Sequence, residues 1–121
     1  MAPLTKGLIA RAPFDFAEGR DDKERPVCIV SVDEFNAGGD VLIAMITSRP
    51  RLVINPGFGD VVLRDWEDEG LPIASVLRAG RLLARTIELL TEPIGELSVR
   101  DRSAVDEALS RILGLSLPYP R

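Results

Sequence analysis

Residues 26–47 run Pro26-Val-Cys-Ile-Val-Ser-Val32, then Asp33-Glu-Phe and the turn Asn36-Ala-Gly-Gly-Asp40, then Val41-Leu-Ile-Ala-Met-Ile-Thr47. Both flanks are rich in β-branched residues, and a proline at the head of the first suits the opening position of a strand. The stretch therefore predicts two buried central strands joined through a glycine-containing turn.

Upstream, Gly7-Leu-Ile-Ala-Arg-Ala-Pro-Phe14 is a short apolar run ending at a proline, as a first or edge strand does. Residues 15–25 are polar, charged and glycine-containing, which predicts a mobile surface loop. Downstream, residues 49–59 hold two prolines and two glycines and are expected to be a connection. A short strand from Val61 to Trp66 follows, then the acidic tip Glu67-Asp-Glu-Gly70 before Leu71-Pro72. In 75–90, Ala79, Leu82, Leu83, Thr86 and Leu90 follow helical spacing and alternation is poor, so residue pattern alone leans to a helix.

The last element is the clearest. Ser98 with Asp101 three residues on is a capping-box-like start, Val105, Ala108, Leu109 and Ile112 share one helical face, and Gly114 supplies a left-handed stop. Short strands followed by one amphipathic C-terminal helix predict a mainly β, α+β domain: a small, partly closed β-barrel with the helix packed on it. One domain over 1–121 is expected, with a core of about 6–115 and a tail at 116–121.

Composition narrows the chemistry. With no histidine, the Ser-His-Asp triad, paired-histidine ribonuclease chemistry and histidine-ligated zinc are all excluded. Cys28, the only cysteine, lies in an apolar run and is expected to be a small core residue. The longest apolar stretch, Val41 to Ile46, is far short of the roughly 20 residues that span a bilayer. The N-terminus has no secretory signal pattern, so no membrane association and a cytoplasmic location are expected. The net charge is −4, yet 41–59 contains Arg49 and Arg51 with no acid, and 75–87 contains Arg78, Arg81 and Arg85 with no acid. The chain can present a basic face despite its acidic total.

Four pieces, in order, resemble the MazF/PemK toxins. They are Gly7 with Pro13-Phe-Asp-Phe16; Lys23-Glu-Arg-Pro26 followed by the strand Val27 to Ser31; the strand Val41 to Ile46 ending in Ile46-Thr47-Ser48; and Gly70-Leu71, Ser75-Val76 and Gly95-Glu-Leu97-Ser98 leading into the closing helix. The resemblance implies an SH3-like barrel, strands rather than a helix in 75–90, a homodimer, a cognate antitoxin protein, and a cofactor-free toxin of a type II toxin–antitoxin system that cleaves single-stranded RNA. It places catalysis on the arginine of Arg-Pro and the threonine of Ile-Thr-Ser, here Arg25 and Thr47. Leu8 departs from it, standing where the family usually carries an acid.

Those residue types suit the reaction. RNA carries its own nucleophile, the ribose 2′-hydroxyl, so no metal is required. A guanidinium matches two phosphate oxygens and stays charged at any working pH. Thr47 is placed to donate its hydroxyl to a phosphate oxygen, with Ser48 assisting. Arginine is a poor general base, which makes Glu24 a candidate helper. Phe16 alternates with Phe14 and is expected to stack on a base. Arg49, Arg78 and Arg81, with Arg51 and Arg85, are candidate phosphate contacts. Without the resemblance, Arg25 is an ordinary surface cation and Thr47 an ordinary strand residue. A non-catalytic barrel acting only through protein contacts, on an antitoxin or another target, is the alternative.

Overall fold

A computed structural model describes residues 4–13 and 24–116. Six strands form one antiparallel sheet: β1 (Leu8–Pro13), β2 (Glu24–Ile29), β3 (Asp40–Thr47), β4 (Asp60–Val62), β5 (Val76–Thr86) and β6 (Pro93–Glu96), in the order β4-β5-β3-β2-β1-β6. Short helices α1 (Asp33–Asn36) and α2 (Pro50–Ile54) precede and follow β3, and the long helix α3 (Val99–Leu113) follows β6. The sheet curls into the expected half-open barrel, with α3 packed on β4 and β5.

Alternation along the central strands feeds two separate cores. Cys28, Ala44 and Ile46 join Leu77, Ala79, Val105 and Ala108 on the helix side. Val27, Ile29, Val41, Ile43 and Met45 form a second cluster with Leu8 and Ala12 on the other face. The two-sided burial explains why both strands are nearly continuous apolar runs. Cys28 is fully buried as expected, and burial pushes its thiol up to about 12. Trp66 packs against the helix-side core.

The predicted hairpin exists, with adjustments. β2 begins earlier than expected, at Glu24, and ends at Ile29, so Glu24 and Arg25 belong to a strand rather than a loop. The chain then turns through α1, where Ser31 and Asn36 are buried and hydrogen-bonded to each other. The Asn36 amide donates to the Leu4 carbonyl at 2.7 Å, and the Ser31 hydroxyl accepts from the Leu42 N–H at 3.0 Å, pinning the turn to the segment ahead of β1 and to β3.

The helical reading of 75–90 is corrected: Val76–Thr86 is a strand, as the family resemblance implied, followed by one 3₁₀ turn at Ile87–Leu89. A bulge misled the periodicity. Met45 pairs with Arg78 but Ala44 pairs with Leu82, so Ala79, Gly80 and Arg81 intervene and the inward phase slips. Leu77, Ala79 and Leu82 thus reach one core at a spacing that mimics a helix. The strand expected from Val61 to Trp66 is only Asp60–Val62, and β6 was not anticipated.

α3 follows its sequence signals. The Ser98 side chain accepts from the Asp101 N–H at 3.2 Å, and Gly114 ends the helix at φ 68°. No helix among the described residues is long and apolar enough to cross a membrane.

Candidate functional site

Arg25 and Thr47 lie near the ends of neighbouring strands. The β2–β3 register runs from Ile29 opposite Ile43 to Val27 opposite Met45, two residues short of Arg25 and Thr47, and both of these side chains border the same cavities. Arg25 is held from its other side by β1, where it pairs with Ala12. β3 stops at Thr47 because Pro50 lies ahead: a proline holds the residue before it extended, as Arg49 is (φ −59°, ψ 120°), and itself occupies the first turn of α2.

Two adjoining cavities open there. The smaller, about 150 Å³, is lined by Arg25, Met45, Thr47, Arg49, Leu52, Arg78 and Arg81. The larger, about 380 Å³, is lined by Arg25, Pro26, Ile46, Thr47, Ser48, Arg49, Pro50, Leu71, Pro72, Ile73 and Ser75. Arg25, Thr47 and Arg49 border both. The Thr47 hydroxyl oxygen accepts from the Arg49 N–H at 3.3 Å, which occupies a lone pair and leaves the hydroxyl proton able to donate elsewhere.

The candidate residues distribute unevenly around this wall. Ser48 lines the larger cavity and Arg81 the smaller. Arg78 also lines the smaller one, but its guanidinium is held by Asp60: Nε reaches Oδ1 at 2.9 Å and Nη2 reaches Oδ2 at 3.4 Å. Asp60 sits directly across β4–β5 from Arg78, and its side chain is 2% exposed. Glu24 lines neither cavity; neighbours on a strand face opposite ways, and its carboxylate accepts from the Thr91 hydroxyl at 3.1 Å. Arg51 and Arg85 line neither cavity, and Arg85 donates to the Ala84 carbonyl. Phe16 lies outside the described residues.

Sequence reasoning missed the apolar side of the site. Pro50 and Pro72 signalled turns, and nothing in the pattern near Ile73 linked it to Thr47. Asp60 was equally hidden, as one acid in the run 60–69.

A second polar cluster lies on the helix side. The carboxylates of Asp65, Glu69 and Asp101 approach within 4.8 Å of one another. Asp101 accepts from the N–H groups of Arg64 and Asp65, each at 3.0 Å. Asp65 makes a bidentate pair with Arg100 at 2.9 and 2.8 Å, which holds its carboxyl down at about 2. Glu69 Oε2 accepts from the Ser98 N–H at 2.8 Å. Burial, with the adjacent Asp101 carboxylate, pushes Glu69 up to about 7. These groups tie the 63–75 segment to the start of α3.

Known proteins share this architecture. An endoribonuclease in complex with its cognate antitoxin from a mycobacterial species matches with a TM-score of 0.73 at 23% identity, over 97% of this chain and 100% of that one. The Mycobacterium tuberculosis toxin MazF-mt6 matches at 0.71 and 22%, over 91% and 99%. A MazE–MazF complex from Deinococcus radiodurans matches at 0.72 and 20%, over 95% and 100%. No curated protein matches the chain by sequence. The family model for the PemK-like, MazF-like toxin of type II toxin–antitoxin systems matches residues 5–113, most of the chain's length. With the barrel, its closing helix and the ordered motifs all in agreement, the chain belongs to the PemK-like, MazF-like toxins of type II toxin–antitoxin systems.

Proposed function

We propose that this toxin is an endoribonuclease that cleaves single-stranded RNA without a metal, using Arg25 and Thr47 at the wall between the two cavities. The observation that carries the reading is that these two side chains, from separate strands, border both cavities together with Arg49. In the reaction the 2′-hydroxyl attacks the adjacent phosphorus, the P–O5′ bond breaks, and a 2′,3′-cyclic phosphate and a 5′-hydroxyl end result. The proton lost from the 2′ oxygen passes to solvent, and the leaving 5′ oxygen takes one up. Arg25 stabilises charge on the non-bridging oxygens as the phosphorane forms, and Thr47 donates to one of them and fixes its position. Glu24, turned toward Thr91, has no part in proton transfer in this arrangement.

The same reading assigns a cognate antitoxin as the inhibitory partner and a homodimer as the working assembly, both carried over from the family. The solved relatives that include an antitoxin support the first. Light scattering on the purified chain tests the second, and a monomer at micromolar concentration would refute it.

The activity itself is tested with mixed single-stranded RNA in EDTA, scoring fragments with 5′-hydroxyl ends. Cleavage is expected from the wild type, with Arg25→Ala and Thr47→Ala each losing roughly a hundred-fold or more in rate. No cleavage by a folded wild type on any RNA would leave the protein-binding barrel as the function.

A further inference from the structure

We propose that the larger cavity is a nucleobase subsite beside the cleaved phosphodiester and that Ile73, backed by Pro72, selects the base it takes. The inference rests on the nuclease reading and adds to it a specificity-determining residue.

The two cavities differ in chemistry across their common wall. Beyond the shared Arg25 and Arg49, the smaller adds Arg78 and Arg81, while the larger adds no charged side chain at all. Its extra lining is dominated by proline rings and branched aliphatic groups, with the hydroxyls of Ser48 and Ser75. A single RNA strand alternates in the same way, with anionic phosphates next to flat bases whose faces are apolar and whose edges hydrogen-bond. A phosphate held at the shared wall puts sugar–phosphate backbone toward the arginines and one adjoining unstacked base toward Pro50, Pro72 and Ile73. The volume of about 380 Å³ falls in the range of small-ligand pockets. The Ser48 hydroxyl, able both to donate and to accept, suits a base edge.

Ile73 is the informative side chain. It is a large aliphatic residue left 54% exposed, outside both core clusters, so its place at the cavity is not a by-product of core packing. Its backbone is fixed all the same: the buried Ser75 hydroxyl donates to the Ile73 carbonyl at 2.7 Å, and the Ser75 carbonyl accepts from the Leu63 N–H at 3.0 Å. A bulky, exposed, rigidly anchored group at a cavity mouth discriminates by size, and one methylene in such a pocket shifts selectivity by about ten-fold or more.

The test uses the purified full chain on single-stranded RNA randomised in sequence, with the 5′-hydroxyl ends of the products sequenced for wild type, Ile73→Ala and Pro72→Ala. Ile73→Ala is expected to change the preference at one nucleotide adjoining the cut by about ten-fold, leaving the preference at other positions alone. Pro72→Ala should alter the same position less. An RNA carrying an abasic ribonucleotide there should be cut equally by wild type and Ile73→Ala. An unchanged preference, or a loss spread evenly over all positions, overturns the subsite and leaves the cavity to a protein partner. Wild-type cleavage is the internal control: if it is present, failure of these variants to shift the preference sinks the subsite alone, and if it is absent the nuclease reading falls as well.

Discussion

Asp60 shows how one side chain changes what an arginine can do. Arg78 faces the smaller cavity, but its guanidinium is shared with a carboxylate that is almost completely buried and also accepts from the Gly57 N–H at 2.8 Å. Arg78→Ala would strand that carboxylate, so a loss of about 3 kcal/mol in stability is expected. Adding Asp60→Asn to Arg78→Ala should recover at least half of it, measured by urea denaturation; no recovery would mean that the pair does not hold β4 to β5. A fall in activity on Arg78→Ala alone therefore reports folding before it reports RNA contact. Arg25, Thr47, Ser48, Arg49 and Arg81 were legible as a group because motif order and a basic stretch free of acids marked them. Glu24 was expected in a loop, where alternation does not apply, whereas in β2 it faces away from Arg25 and meets Thr91. Asp60 and Ile73 were illegible because their roles depend on cross-strand and loop contacts that leave no local pattern.

Among the elements, α3 was readable from caps and periodicity, whereas β5 was not, because its bulge imposes a phase slip that only pairing with β3 reveals. β6 has four residues, two of them Pro93 and Gly95, and so carried no strand signal. Its glycine has a packing role: a Cβ at Gly95 would lie 2.3 Å from the Glu69 carbonyl oxygen, and one at Gly70, where φ is 88°, would lie 2.5 Å from the Ile94 carbonyl oxygen. The 63–75 segment thus meets β6 backbone to backbone. Gly95→Ala is expected to cost about 2 kcal/mol, read from thermal or urea unfolding, because a main-chain contact cannot yield as a flexible side chain can. Glu69, at the same contact, makes this junction sensitive to pH. From pH 4.5 to about 7 the folded chain keeps the Glu69 proton while the unfolded chain releases it, so this contribution to stability declines as pH rises and is gone above about 7. Asp65, held down at about 2 by Arg100, has the opposite sign: its contribution is lost only as pH falls toward 2. Glu69→Gln should flatten the decline and make the protein more stable than wild type at pH 8, with little difference at pH 5. Parallel urea midpoints for the two proteins across that range would rule out a proton retained on Glu69 in the folded chain.

For the molecule as a whole, the net charge of −4 and the RNA-binding proposal are reconciled by where charge sits. Four arginines line the smaller cavity, and one of them, Arg78, is neutralised by Asp60. On the proposed reading Arg25, Arg49 and Arg81 contact phosphate at this wall, while much of the acid lies elsewhere: Asp65, Glu69 and Asp101 are at the α3 junction, and Glu24 is against Thr91. With so few contacts, affinity should respond to salt only moderately. Neutralising three phosphates of a single strand gives a slope of log affinity against log salt of about −2, from roughly 0.7 per phosphate. Fluorescence anisotropy with a 2′-O-methyl oligonucleotide, which lacks the attacking hydroxyl, measures this without turnover. Arg81→Ala should reduce the slope by about 0.7, and Arg85→Ala, which borders neither cavity, should leave it unchanged. A slope near zero would detach the arginine cavity from RNA, whereas a much steeper one would require cations beyond this wall. In either case, the local segregation of charge would not account for how an acidic protein holds a polyanion.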